Sequence, residues 1–333
     1  MHTRLLGTSG GPSGTGIEVS AVGFGAMGFS HGYGPGPDAD EAIQLMRKAF
    51  ELGCTFFDTA EGYGNGANEE LVGHALTPVR DQVVIATKLH ITGGEHLTPE
   101  GLSRQLRGRL EASLTRLNTD HIDLYYQHRV NQDIPVEDVA VVMGELIAEG
   151  KILGWGQSQA SEDELRRAHA VTPLTAIQSE FSLMERMFER DVIPACSSLD
   201  IGFVPFSPLA SGFLSGKNTA GDTYTGNDVR RVITRFAPDN VRANQPLLDL
   251  LHAFARDKGA TPAQVSLAWM LHKAPFIVPI PGMRRLERIE ENLGAADVVL
   301  TDEEFGRIET ELAAIEIHGN RTDEDIAKLR SMS

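Results

Sequence analysis

A chain of 333 residues, 41% of them hydrophobic, can build one large α/β barrel or two ordinary domains and is too apolar for a disordered one. Its 46 acidic residues against 30 basic ones give a formal net charge of −16, the wrong sign for a nucleic-acid or anionic-membrane partner. That balance leaves room for a small anionic cofactor, which needs only a local basic pocket. Cys54 and Cys196 lie far apart in apolar surroundings and read as reduced core residues. No apolar stretch reaches transmembrane length and the N-terminus carries no signal-peptide core, so the expected location is cytoplasmic, with no membrane partner. There is no H-E-x-x-H and no Cys/His cluster, so no metal is expected.

In chain order, the Gly-rich first twenty residues predict a hairpin closing the floor of a barrel. Eight apolar runs of strand length follow, at residues 21–26, 54–59, 83–88, 122–128, 153–158, 175–180, 202–207 and 276–282. Amphipathic stretches of helical period alternate with them, at residues 40–53, 99–117, 136–151, 161–170 and 261–273. In the second of these Leu102, Leu106, Leu110, Leu114 and Leu117 share one face. Thr98 before Pro99 and Thr261 before Pro262 read as helix starts, and Ser161 with Glu164 reads as a capping box. Residues 244–259 and 301–315 predict two helices beyond the alternation. The pattern is that of a (β/α)8 TIM barrel with an N-terminal hairpin and two extra helices, one domain over residues 1–333. The longest irregular stretch, residues 209–240, follows the seventh strand, and a loop of that length is expected to be functional.

Two motifs mislead. Gly23, Gly25 and Gly28 fit the dinucleotide fingerprint G-x-G-x-x-G, but residues 29–37 form a Gly/Pro-rich loop where that fold needs a helix start. Residues 7–11 match G-x-S-x-G with no helix after them, so a nucleophile elbow is not expected.

The chemistry gathers at the ends of the apolar runs. Asp58, Tyr63, Lys88 and His128 each close such a run or lie just past it. A free tyrosine titrates near ~10, and a neighbouring cation favours its ionised form. A carboxylate would hold the lysine charged, and the histidine would orient a carbonyl oxygen or share the proton. Such a set suits carbonyl reduction, with the hydride supplied by a cofactor because no side chain can supply one.

These residues resemble those of the aldo-keto reductases. Asp58-Thr-Ala-Glu-Gly-Tyr63-Gly is similar to the family's D-T-A-x-x-Y-G block, Thr87-Lys88 to the end of its third strand, and Gln127-His128 to the end of its fourth. The resemblance runs from Leu5 to about Leu312 and implies a (β/α)8 barrel, NADPH as hydride donor and Tyr63 as general acid. It further implies that Ser158 and Gln178 hold the nicotinamide carboxamide, with Gln159 where the family usually has Asn or Glu. Phe206 would stack on the nicotinamide, and Ser207, Leu209, Ser211 and Gly212 would surround the pyrophosphate. Arg284 and Arg288 would meet the 2′-phosphate and Glu291 and Asn292 the adenine, while Met283 stands where the family usually has Ser or Thr.

Three functions compete at this stage. The first is NADPH-dependent reduction of an aldehyde or ketone. The second is an NADPH-binding sensor or channel-associated subunit that turns over slowly. The third is a phosphate-binding barrel lyase or isomerase that uses no nicotinamide. The substrate wall would come from residues 29–38, 89–97, 129–134, 209–240 and the tail after Ile315, where Gly319-Asn320-Arg321-Thr322 resembles a family G-x-R-Y segment. Monomer and homo-oligomer both remain open.

Overall fold

The computed structural model describes residues 1–7, 16–94 and 97–322. Most of the 7–11 motif, residues 95 and 96 of the 89–97 loop, and the tail from residue 323 lie outside the described residues. A two-stranded antiparallel hairpin opens the chain, β1 (Thr3–Leu6) with β2 (Ile17–Ser20). Seven parallel strands follow: β3 (Phe24–Gly25), β4 (Phe56–Asp58), β5 (Val84–Leu89), β6 (Ile122–Gln127), β7 (Ile152–Ser158), β8 (Ala176–Glu180) and β9 (Gly202–Phe206). Their order across the sheet is their order along the chain, as successive βα units produce.

The expected eighth strand closes this sheet into a barrel without forming a regular strand. Val278 and Ile280 donate to the carbonyls of Phe203 and Pro205 at 2.9 and 3.0 Å. On the other edge Gly23 and Gly25 donate to the carbonyls of Pro279 and Pro281 at 2.9 and 3.1 Å. Pro279 and Pro281 have no N–H to return, so these two residues hold the seam through their carbonyls alone, and a parallel bridge of Gly25 with Gly282 follows them. The G-x-G glycines serve this seam. A Cβ on Gly25 would lie 2.7 Å from the Ile280 carbonyl oxygen, and one on Gly23 would lie 2.6 Å from the Phe56 ring. The first helix, α1 (Ala39–Glu51), starts well beyond them, capped by the Asp38 carboxylate on the Glu41 amide.

The remaining helices are α2 (Ala67–Leu76), α3 (Pro99–Leu117), α4 (Val136–Ala148), α5 (Glu162–Val171), α6 (Val192–Ser198), α7 (Pro238–Ala243), α8 (Gln245–Lys258), α9 (Pro262–Lys273), α10 (Leu286–Leu293) and α11 (Asp302–Ala313). The Thr98, Ser161 and Thr261 caps form as expected. The five leucines of α3 are all buried in the outer core between helices and sheet, and α8 and α11 are the two extra helices. Sequence reasoning missed α2, α6 and the short α7, which begins inside the stretch read as irregular. Asn68 and Glu69 lie on the buried face of α2, which hides its periodicity. In α6, Pro194 reads as a breaker but sits in the first turn, where no N–H is needed. The 209–240 loop is not structureless: it winds through 3₁₀ turns at Ala210–Ser215, Val229–Arg231 and Thr234–Phe236.

The barrel interior is a second apolar cluster: Leu6, Val19, Phe56, Ala86, Leu124, Tyr126, Ala176, Val204, Val278 and Ile280. Leu6 and Val19 come from the hairpin, so the hairpin does plug the floor. A Cβ on Gly202, at the start of β9, would lie 2.5 Å from the Leu6 side chain, so that glycine makes room for the plug. Leu6→Ala should therefore cost about 2–5 kcal/mol, as for other fully buried leucines. Denaturant unfolding measures it; an unchanged midpoint would show that the hairpin lies outside the cooperative core.

Candidate active site

Side chains along a strand alternate between the barrel interior and the surrounding helices. Two residues above the apolar layer, the interior positions turn polar. Asp58 follows Phe56, Lys88 follows Ala86, His128 follows Tyr126, Ser158 follows Gly156, and Gln178 follows Ala176. The ladder pairs Ser158 with Gln178 and Glu180 with Phe206. The strand-borne candidates thus form one ring at the C-terminal mouth, where barrel enzymes carry out their chemistry.

Asp58 and Lys88 form an ion pair that is almost wholly buried. The Lys88 ammonium donates to Asp58 Oδ1, to the Thr59 carbonyl at 2.7 Å and to the Tyr63 hydroxyl at 3.5 Å. The other Asp58 oxygen accepts from Gln178 Nε2 at 2.7 Å. Burial pushes both groups toward neutrality. For Lys88 the Asp58 carboxylate more than offsets this and holds the ammonium above its ordinary range. For Asp58 burial leaves the carboxyl raised in spite of Lys88. The two directions conflict for one pair. Two donors on the carboxylate and a carbonyl as well as the carboxylate on the ammonium favour the charged form.

Tyr63 stands at the head of a turn in which Gly64, Asn65 and Gly66 all take left-handed backbone. Its ring meets the edge of His128 at 5.8 Å between centroids and 84° between planes. Two histidines that sequence reasoning left unassigned complete the wall. His31, in the loop after β3, stacks on Tyr63 at 5.8 Å, and His90, just past β5, lies 4.3 Å from His128. No local signal distinguishes these two in the sequence, because each sits in a loop. Burial, followed by repulsion from Lys88, His90, Arg129 and His31, holds His128 well below the ordinary histidine range. Its Nδ1 is buried with no hydrogen-bond partner among the described residues.

The start of α2 braces this set. Asn68 accepts from Thr59 Oγ1 at 2.6 Å and donates to the Ala26 carbonyl at 3.0 Å. Glu69, fully buried, accepts from Thr87 Oγ1 at 2.6 Å and from Arg116 of α3 at 2.6 Å. Thr59 and Thr87 adjoin Asp58 and Lys88 in sequence, so these bonds fix the two strand ends. Polar Asn-Glu at a helix start was the available signal.

On the other side of the mouth, Ser158 Oγ accepts from Arg129 at 3.2 Å, and Gln159, at φ 58°, accepts from the Glu180 amide at 3.2 Å. The Arg129 and Arg321 guanidiniums lie 6.0 and 5.2 Å from the Phe206 ring centroid. Arg321, in the tail segment, also bonds Glu180 at 3.0 Å. Ser207, Ala210, Ser211 and Gly212 take left-handed backbone at φ 48°, 50°, 58° and 94°. A run of strained non-glycine residues in one loop marks a functional segment, and mixed-handed turns of this kind aim amides at anions. Leu209 supplies its carbonyl to the Gly212 and Leu214 amides. Ser211 Oγ and Asn292 Oδ1 are buried without partners among the described residues.

The arginines expected at a phosphate are engaged within the chain. Arg284 donates to the carbonyls of Tyr33 and Pro35 at 3.0 and 3.2 Å. Arg288 pairs with Glu291. Met283 is buried. The orphaned Ser211 and Asn292 atoms and the left-handed backbone of the 207–212 loop fit a phosphorylated, amide-bearing cofactor of the kind expected from the sequence.

A model of the aldo/keto reductase family matches residues 21–312. This chain belongs to that family. It is 39% identical over 309 residues to a probable aldo-keto reductase 1 of Glycine max, covering 92% of this chain and 89% of the relative. A glycerol dehydrogenase structure from Gluconobacter oxydans superposes with a TM-score of 0.83 at 26% identity, covering 96% of this chain and 97% of the other. An aldo-keto reductase of Klebsiella pneumoniae, solved with NADPH, gives a TM-score of 0.70 at 26% identity, with 93% and 95% coverage. The family makes this chain an oxidoreductase and gives its barrel the expected architecture.

The depressed His128 sets a pH dependence. As pH falls through ~6.5 the unfolded chain binds a proton that the folded chain refuses, so stability should fall toward acid. Histidine NMR titration checks it directly. His128 should remain neutral from about pH 8 to about pH 6, and an ordinary titration midpoint in the folded protein would refute the burial argument.

Proposed function

We propose that this aldo/keto reductase, acting as one domain over residues 1–333, reduces an aldehyde or ketone carbonyl with NADPH, and that Tyr63 is the general acid. The observation that carries the reading is the buried Lys88 ammonium within 3.5 Å of the Tyr63 hydroxyl, anchored by Asp58 and the Thr59 carbonyl. A cation at that distance stabilises the negative charge that develops on the phenol oxygen as its proton passes to the carbonyl. Asp58 keeps Lys88 charged and in place. His128, neutral at working pH, offers a hydrogen bond to the carbonyl oxygen and carries no competing charge into the pocket. His31 and Phe206 supply flat walls on the two sides of the mouth. NADPH, when bound, supplies the hydride.

Ser158 and Gln178 would hold the carboxamide of the cofactor, Phe206 its ring face, residues 207–212 its pyrophosphate, and Arg284, Arg288, Glu291 and Asn292 its adenosine end. Support for this half rests on the strained 207–212 loop, the orphaned Ser211 and Asn292 atoms, and the NADPH held by the Klebsiella pneumoniae relative. The location that fits these roles is cytoplasmic.

Tyr63→Phe keeps the ring and removes the proton, so turnover of an aldehyde should fall about 10²–10⁴-fold while the NADPH Kd stays put. Stopped-flow NADPH oxidation with parallel fluorescence titration measures both, and wild-type turnover in the variant would end the assignment. Arg288→Ala should weaken NADPH roughly tenfold and leave NADH nearly unchanged, because charge-assisted bonds to the 2′-phosphate are worth about 1.5–3 kcal/mol and part is given up with Glu291. Equal losses for the two cofactors would assign Arg288 to the fold.

A further inference from the structure

Arg129 follows His128 just past β6 and has no role in the function proposed above. Its side chain crosses the mouth. Nη1 donates to the His128 carbonyl at 2.6 Å and to Ser158 Oγ at 3.2 Å. The guanidinium carbon lies 6.0 Å from the Phe206 ring centroid. One group thus reaches the ends of β6, β7 and β9. Ser158 is buried, and the guanidinium takes up the approach to its hydroxyl.

Ser158 and Phe206 are the residues assigned above to two parts of one ligand group, the hydroxyl to the carboxamide and the phenyl ring to the face of the nicotinamide. A ring stacked on Phe206 would have its centroid about 4.5–7 Å away. The guanidinium stands at that distance. It is planar, it stacks on aromatic faces and it carries donors at its rim. It therefore meets Phe206 and Ser158 in the way a nicotinamide and its amide would. The two groups cannot share that span. Both contacts are to uncharged partners, so the guanidinium can be exchanged there for another planar group.

We propose that Arg129 is a placeholder in the nicotinamide subsite: its guanidinium occupies the span between Ser158 and Phe206 and is displaced when the cofactor ring enters. This rests on the cofactor half of the reductase reading, which assigns that subsite to Ser158 and Phe206. Displacement subtracts from affinity, because only molecules with the guanidinium withdrawn can accept the ring. The sign is opposite to the one that charge alone gives. Removing a cation should weaken a polyanionic ligand, whereas removing a placeholder should tighten it.

The test compares NADPH with 2′-phospho-ADP-ribose, which carries the same phosphates and lacks the nicotinamide. In Arg129→Met the Kd for NADPH should fall roughly three- to tenfold, and that for 2′-phospho-ADP-ribose should not fall. Calorimetric titration measures both. Unchanged or weaker NADPH binding in a variant that still binds 2′-phospho-ADP-ribose overturns the placeholder, and so does equal tightening of the two ligands. Crystals of the wild-type chain give a second measurement that no folding defect can confound. The guanidinium should stay on Ser158 with 2′-phospho-ADP-ribose bound and leave it with NADPH bound. A guanidinium still on Ser158 beside an ordered nicotinamide overturns the proposal while the cofactor reading stands. A wild-type chain that binds neither ligand removes the cofactor reading itself, and the placeholder with it.

Discussion

Two opposite charges held together out of water govern the rest of this molecule. Taking an ammonium and a carboxylate out of solvent costs several kcal/mol per ion, and their attraction repays it only when the remaining donors and acceptors are satisfied. For Lys88 and Asp58 those partners come from separated parts of the chain: the Thr59 carbonyl from the end of β4, the Gln178 amide from β8, and the Tyr63 hydroxyl from the following turn. None of these is near Lys88 in sequence. The charged pair can exist only in the closed barrel, and the barrel mouth is organised around satisfying it. The bonds from Asn68 and Glu69 to Thr59 and Thr87 extend the same logic one residue outward.

That dependence explains what could be read from the sequence. Parallel strands buried on both faces are short apolar runs, so seven strands and the path of the eighth were legible from composition alone. A polar residue closing such a run marks a strand end, which is why Asp58, Lys88 and His128 could be placed at one mouth, while Ser158 and Gln178 were legible only through the family resemblance. The closing segment was legible as a run but not as irregular, because Pro279 and Pro281 affect which bonds form and not where the chain goes. Helix α2 was invisible for the opposite reason: its buried face carries Asn68 and Glu69, which read as solvent-facing until their partners are known. His31 and His90 reach the site from loops, and no periodicity governs a loop.

The loops also carry a constraint of their own. Val229 in the long loop after β9 donates to the Gly32 carbonyl at 2.9 Å, joining it to the loop after β3. Tyr33 has two guanidiniums near its ring, Arg230 at 5.7 Å and Arg284 at 5.9 Å, and Arg230 also lies 4.3 Å from the Tyr224 ring. A cation over an aromatic face contributes about 0.5–1 kcal/mol at an exposed site and more where water is excluded. These contacts tie the long loop after β9, which opens on the strained residues 207–212, to the loop after β3. The left-handed residues there cost of order 1–3 kcal/mol each and persist only when surrounding structure fixes them. The bridge and the core packing of Phe213 and Leu214 provide that fixing.

Charge then has to be considered locally. A chain of net charge −16 repels a polyanionic cofactor, but salt screens that repulsion beyond a Debye length of about 8–10 Å, so the distant charges count for little. Inside that distance Arg284 and Arg288 matter more than the total, yet neither is idle. In the proposed role Arg288 would exchange the Glu291 carboxylate for a phosphate, so only the difference between two charge-assisted bonds would reach the affinity. Arg284 gives up neutral carbonyls of Tyr33 and Pro35, a weaker pair of acceptors, and its guanidinium is half-buried, which has already removed much of the water a phosphate would have to displace. The arginine that looks most committed to the fold is therefore the one that gains more by turning to an anion. If Arg284 takes the proposed role, its release would also loosen Tyr33, and binding at the adenosine end would then be linked through one side chain to the loop after β3.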